Sequence, residues 1–133
     1  MKKFVSVLLM TAGLLAAVNA GAVESRSLLL QELPALSGDQ EVLMLTVHYA
    51  PGEASTPHRH DAHVFVYVLE GSVVMQVEGE EPVTLQAGET FQEDPADVHL
   101  QSRNASETEP ASFLVMMIKK KGAPVTMPVT MTH

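Results

Sequence analysis

The stretch PGEASTPHRHDAHVFVYVLEG, Pro51 to Gly71, decides how this chain folds. Three of its six histidines, His58, His60 and His63, stand just before an unbroken apolar run. In that run Val64, Val66 and Val68 alternate with Phe65, Tyr67 and Leu69, so on extended backbone both faces are apolar. A strand buried on both sides is a central one. One face can line an interior, while the other packs against a second sheet or another subunit. His58 and His60 are two apart, which projects both imidazoles from one face and turns Arg59 away. Two nitrogens on one face make half a metal site; taken alone, the pair is as readily a surface H-x-H.

Outward from this segment, short alternating or continuous apolar runs punctuated by Pro, Gly, Asp and Asn predict strands at 42–49, 64–70, 72–78, 83–86, 89–92, 98–103 and 111–118. Helix signals are scarce, and the chain reads as all-β. Gly71 separates two strands closely enough for a hairpin and EGEEP at 78–82 supplies the next turn, so consecutive strands are expected to pair antiparallel. Such strands must close or stack, as a barrel or sandwich, to cover their edges. The tail PVTMPVTMTH repeats Pro-Val-Thr-Met, and each proline removes a ladder donor, which suits an edge strand or an arm across a neighbour. Of eight methionines, Met1 and Met10 fall in the leader and the rest in apolar runs or the tail, where core packing is the expected role.

The leader is MKKFVSVLLMTAGLLAAVNAGA, Met1 to Ala22. Lys2 and Lys3, an apolar run from Phe4 to Val18 and an A-x-A ending at Ala20-Gly21-Ala22 form a complete export signal, with Val18-Asn19-Ala20 as a second cleavage choice. The apolar run falls short of the roughly eighteen residues of a spanning anchor. The expected organisation is a signal peptide at 1–22 and one domain at 23–133, with a periplasmic or secreted product and no stable membrane anchor after cleavage. Cleavage after Ala22 leaves 111 residues and moves the net charge from −8 to −10. Such a surface repels nucleic acid, and the single basic triplet, Lys119–Lys121, reads as a solvated face or strand end. There is no cysteine, which excludes a disulfide framework, a thiolate nucleophile and a zinc ribbon. Any metal here must be held by nitrogen and oxygen.

A third imidazole is within reach. His99 ends GETFQEDPADVH, Gly88 to His99, where an adjacent strand would bring it to the His58/His60 pair. Neutral imidazoles suit iron, zinc, copper, nickel or manganese. His48 and His133 read as ordinary exposed or hydrogen-bonded histidines.

The spacing around these residues resembles the cupin superfamily. Its first motif is G-x5-H-x-H-x3,4-E-x6-G, and Gly52, His58, His60 and Gly71 fall at the required intervals, with YVLEG before the turn. Its second motif is G-x5-P-x-G-x2-H-x3-N. Gly88 and His99 keep the family distance, while Pro95 sits one place late, Asp97 stands near the glycine position and Asn104 is one residue beyond its place. The resemblance implies a single-domain antiparallel β-barrel of the double-stranded β-helix, or jelly-roll, type, with His58, His60 and His99 as metal ligands. It fails at one point: the motif's glutamate would fall at Val64 or Phe65, and neither can ligate. His63 stands beside that vacancy. Its parity puts it on the wrong face, but a bend at Asp61-Ala62 could re-aim it, as a weaker ligand candidate or a group supporting the ligands.

A three-histidine centre with open positions resembles cupin dioxygenases that act on thiols or diketones, which implies a divalent transition metal, iron(II) first and manganese, nickel, zinc or copper also compatible. Tyr67, Gln76, Gln92 and Gln101 are the candidate hydrogen-bonders around a small-molecule substrate. The competing expectation is an exported cupin that captures a metal or small ligand without turnover, since one fold carries many functions. A metal-free structural module is disfavoured by the preserved spacing of the three histidines. The apolar outward face of Phe65, Tyr67 and Leu69 and the Pro-rich tail lead to the expectation of a homodimer.

Overall fold

The computed structural model describes residues 23–32 and 39–130; the expected signal segment and His133 lie outside them. Ten strands follow in order: β1 (Glu24–Glu32), β2 (Gln40–Tyr49), β3 (His58–Arg59), β4 (Ala62–Glu70), β5 (Ser72–Val77), β6 (Val83–Gln86), β7 (Thr90–Glu93), β8 (His99–Asn104), β9 (Ala111–Lys120) and β10 (Met127–Pro128). No helix occurs among the described residues. The seven strands read from hydrophobic runs are all present, with ends within two residues. β1, β3 and β10 are additional.

The strands form two five-stranded antiparallel sheets, ordered β1-β2-β9-β4-β7 and β10-β3-β8-β5-β6. The chain crosses repeatedly between them, giving the jelly-roll architecture. One expectation is corrected here. β4 and β5 do not form a hairpin at Gly71: β4 pairs with β7 and β9, and β5 pairs with β6 and β8. Both edges of β4 are already taken, as suits a strand apolar on both faces, so Gly71 passes the chain to the other sheet. It does so with φ +70°, and a Cβ there would come within 2.4 Å of the Pro110 carbonyl oxygen, which only glycine avoids. The turn at 78–82 does close a hairpin, between β5 and β6.

Alternation fixes which side chains enter the barrel. Leu43, Leu45 and Tyr49 of β2 lie beside Phe113, Val115 and Met117 of β9, and these beside Val64, Val66 and Val68 of β4. From the other sheet come Val73, Met75 and Leu85. Met75 and Met117 are fully buried, in the core role expected of them. Burying side chains of this size stabilises the fold by ~1.5–3 kcal/mol each. The basic triplet falls at the end of β9, one of its two expected places, but it is not wholly solvated. Lys119 is buried, its Nζ paired with Glu41 and donating to the Ala123 carbonyl at 2.7 Å, while the Gly122 amide donates to the same Glu41 oxygen at 3.1 Å. The tail forms an edge strand of its own chain, β10 pairing Met127 with Arg59 and Pro128 with His58.

Candidate metal centre

Three imidazoles meet because of one register. β3 pairs with β8 so that His58 stands directly opposite His99, and His60 follows on the same face as His58. Ring centroids lie 4.7 Å apart for His58 and His60, 5.1 Å for His58 and His99, and 6.4 Å for His60 and His99. One nitrogen from each ring can be chosen so that all three fall within 4.8 Å of one another. Two of the rings are held from behind. His58 Nδ1 is 2.7 Å from the Thr56 carbonyl oxygen and His60 Nδ1 is 2.6 Å from that of Val125. With Nδ1–H donating to these carbonyls, each Nε2 keeps its lone pair for a ligand bond, the arrangement that fixes tautomer and ring orientation in metal sites. Burial also pushes the His58 imidazole below its ordinary value, which favours the neutral form. The ring of Phe91 stacks on His99 at 5.9 Å.

A carboxylate stands beside the cluster, against two of its three rings. Glu93, the last residue of β7, is 2% exposed, with Oε1 3.1 Å from His99 Nδ1 and Oε2 3.7 Å from His60 Nε2. Yet Glu93 Oε2 and both ring nitrogens of His99 are buried without a hydrogen-bond partner. Buried polar atoms are rarely left so, and nitrogen and oxygen donors converging without partners are what a divalent transition ion requires. The residues present therefore fit the metal that the histidine spacing implies.

The centre opens on a cavity of about 460 Å³ in the barrel interior. Its walls are mostly apolar, with Leu45, Val66, Met75, Phe113, Val115 and Met117 among them. The polar exceptions besides the centre are Tyr49, Thr56, Thr126 and serines 25, 27, 55 and 102. Tyr49 Oη and Ser102 Oγ are hydrogen-bonded to each other at 2.7 Å, and burial raises the tyrosine above its ordinary value, keeping it protonated. Among the described residues, no lysine or arginine lines this cavity.

The four expected substrate-pocket residues lie elsewhere, and parity is the reason. Tyr67 is 45% exposed on the outer face of β4. Gln92 is exposed on the face of β7 opposite Glu93, near Asp94. Gln76 and Gln101 pair across β5 and β8 outside the cavity, Gln101 Nε2 donating to Gln76 Oε1 at 2.7 Å and Gln76 Nε2 to the Glu80 carbonyl at 2.8 Å. His63 also faces outward, half exposed, with Nδ1 3.4 Å from Asp94 Oδ1. The expected bend is real, since Asp61 has φ +51°, but it does not turn His63 inward. His48 is exposed on β2. Sequence reasoning missed Glu93, whose signal was a charged residue sharing the strand face of Phe91.

The family model for the Cupin_2 cupin domain matches residues 45–117, more than half of the chain. The pectin degradation protein KdgF of Dickeya dadantii strain 3937 is 32% identical over 65 residues, covering 48% of this chain and 58% of that relative. The chain thus matches less than two thirds of the relative's length. An uncharacterized conserved protein with a double-stranded β-helix domain from Klebsiella pneumoniae superposes with a TM-score of 0.59 at 21% identity, over 80% of this chain and 83% of its own. Oxalate oxidase in complex with the substrate analogue glycolate superposes with a TM-score of 0.54 at 26% identity, over 62% of this chain and 44% of its own.

Proposed function

The chain belongs to the cupin family, and on that premise we propose that it is an exported, metal-dependent dioxygenase of small, largely apolar organic substrates. The observation that carries this reading is the convergence of His58, His60 and His99 on one side of an apolar cavity, two of the rings already fixed through Nδ1. An iron(II) ion bound there would supply the redox chemistry through which dioxygen and an organic substrate react together. The protein's own residues do the rest. Three imidazoles from one face leave the opposite side of the centre to substrate. Val66, Phe113 and Val115 receive a carbon skeleton and exclude water, and the hydrogen-bonded Tyr49–Ser102 pair offers a hydrogen bond within the cavity.

Substrate class follows from the lining. KdgF is named for pectin degradation, and pectin fragments are acidic, heavily hydroxylated sugars. A cavity with more apolar than polar wall, hydroxyls from serine, threonine and tyrosine, and no lysine or arginine among the described residues suits a less acidic molecule, one with a polar group that meets the metal while its skeleton packs on valine and phenylalanine. Small diketones and phenolics have this shape, and thiols approach it. The similarity to an oxidase supports oxidative over purely hydrolytic chemistry.

Export is proposed from the signal at 1–22, and a homodimer from the outer face of the first sheet, where Val42, Met44, Phe65, Leu114 and Met116 adjoin one another and Tyr67 is 45% exposed. Intact mass of the exported protein and light scattering test these two points. A species that keeps Met1, or a monomer at micromolar concentration, contradicts them.

The decisive experiment is metal analysis of protein purified from its own compartment, then oxygen uptake after anaerobic iron(II) loading with a panel of small diketones, thiols and phenolics. Uptake that needs both metal and one substrate class, and that is lost in His99→Ala, is expected. Stoichiometric metal without uptake refutes turnover and leaves a ligand-capturing cupin.

A further inference from the structure

We infer that Glu93 is the fourth protein ligand of the metal centre, supplying from β7 the carboxylate that the first cupin motif places on β4. The assignment rests on the metal-binding reading above and names a ligand that the motif spacing does not. The register makes the exchange simple: of the two motif positions, Val64 is the one buried toward the barrel, and the residue directly across the β4–β7 ladder from it is Glu93. Cross-strand partners point to the same face of a sheet, and both side chains are buried on the barrel side. A carboxylate lost from one strand has thus been replaced by one on its neighbour, aimed into the same space.

Charge completes the case. Glu93 is almost fully buried, and the groups facing it are His60 Nε2 at 3.7 Å and His99 Nδ1 at 3.1 Å. Its Oε2 has no hydrogen-bond partner, and no described lysine or arginine shares the cavity. Buried nitrogen and oxygen atoms that converge without hydrogen-bond partners are what a bound ion satisfies, and Glu93 Oε2 and both ring nitrogens of His99 are such atoms. A site of three imidazoles and one carboxylate around a divalent ion carries one net positive charge instead of two.

The test is cobalt(II) titration of the apoprotein, reading affinity and the visible absorption band, with circular dichroism to verify folding of each variant. Glu93→Gln keeps the shape and removes the anionic donor. Affinity is expected to fall by more than about 100-fold, beyond the effect of losing a group that merely orients a ligand, and the band is expected to shift. The double variant Val64→Glu/Glu93→Val, which returns the carboxylate to the motif position, is expected to regain affinity over Glu93→Val. A weaker Glu93→Gln with an unshifted band makes Glu93 a positioning residue for His99 and overturns the assignment, as does wild-type affinity in that variant or a folded double variant no better than Glu93→Val. Wild-type protein that takes up no cobalt sinks the metal centre itself, whereas equal uptake by wild type and Glu93→Gln sinks this assignment alone.

Discussion

Replacing Asn104 should unfasten the barrel at the end of β8. Its side chain is 1% exposed and makes three hydrogen bonds: Nδ2 donates to the carbonyls of Ala50 at 3.1 Å and Glu109 at 2.7 Å, and Oδ1 accepts from the Ser106 amide at 2.9 Å. It thereby ties the turn before β3 to the loop between β8 and β9. Asn104→Ala removes all three bonds, each worth about 1 kcal/mol net, and strands partners whose desolvation adds to the loss. The expected destabilisation is about 3–5 kcal/mol, a large share of the roughly 5–15 kcal/mol that holds a domain together. In a domain of this size that corresponds to a melting temperature lower by about 10–20 °C. Urea denaturation of metal-free protein at 25 °C, with a thermal melt, measures it. Asn104→Asp sharpens the test, because it keeps an acceptor for Ser106 but sets carboxylate oxygen against two carbonyls. Such a carboxyl is raised in the folded state, so the stability it allows is present below about 3.9 and is lost as pH rises through the folded value. At neutral pH it should be no better than alanine. An alanine variant within about 1 kcal/mol of wild type would refute the reasoning, as would an aspartate variant as stable as wild type at pH 7.

Metal content should separate the histidines cleanly: alanine at His58, His60 or His99 loses most of the bound ion, while alanine at outward-facing His63 or exposed His48 retains it, as measured by elemental analysis of purified protein. Retention in His99→Ala would contradict the His58–His99 register. Gly71→Ala should cost about 2–3 kcal/mol in urea denaturation, since it forces a side chain into the left-handed region and against the Pro110 carbonyl. For Glu41, the hydrogen bond from Lys119 holds the carboxyl below its ordinary value of 4.5. The stability it gives is present above that value and is lost as pH falls through the lower folded one. The slope of melting temperature between pH 7 and pH 3 should therefore flatten in Glu41→Gln, and an unchanged slope would show that the pair contributes nothing.

Most strands long enough to show a period were legible in the sequence, and so were the histidines; the nine-residue β1 was not, because ESRSLLLQE does not alternate and its Leu28 and Leu30 stay exposed. Val64 to Leu69 announces a central strand by itself, and the intervals from Gly52 to Gly71 and from Gly88 to His99 carry the site. What escaped depends on facts a linear pattern does not hold. β3 and β10 are two residues long, shorter than any period. Gly71 marks a turn, but whether the next strand returns beside its predecessor is decided by the partners β4 already has. Glu93 has no meaning in the linear pattern and acquires one only through its neighbour, because it stands across the ladder from Val64. The expected pocket residues were chosen for their chemistry alone, and alternation places each on an outer face.

The contact between His60 Nδ1 and the Val125 carbonyl bears on the order in which this centre is made. During synthesis or translocation, N-terminus first, a chain presents His58 and His60 early, His99 later and Val125 later still. Until the segment around Val125 docks, the ring of His60 can turn and ligate through either nitrogen, and β3 lacks one of its two neighbours. Selective uptake therefore waits for the folded product. On the proposed metal-binding reading, an ion held there would be drawn from the pool surrounding the finished protein, so the composition of that pool would bear on which metal is carried.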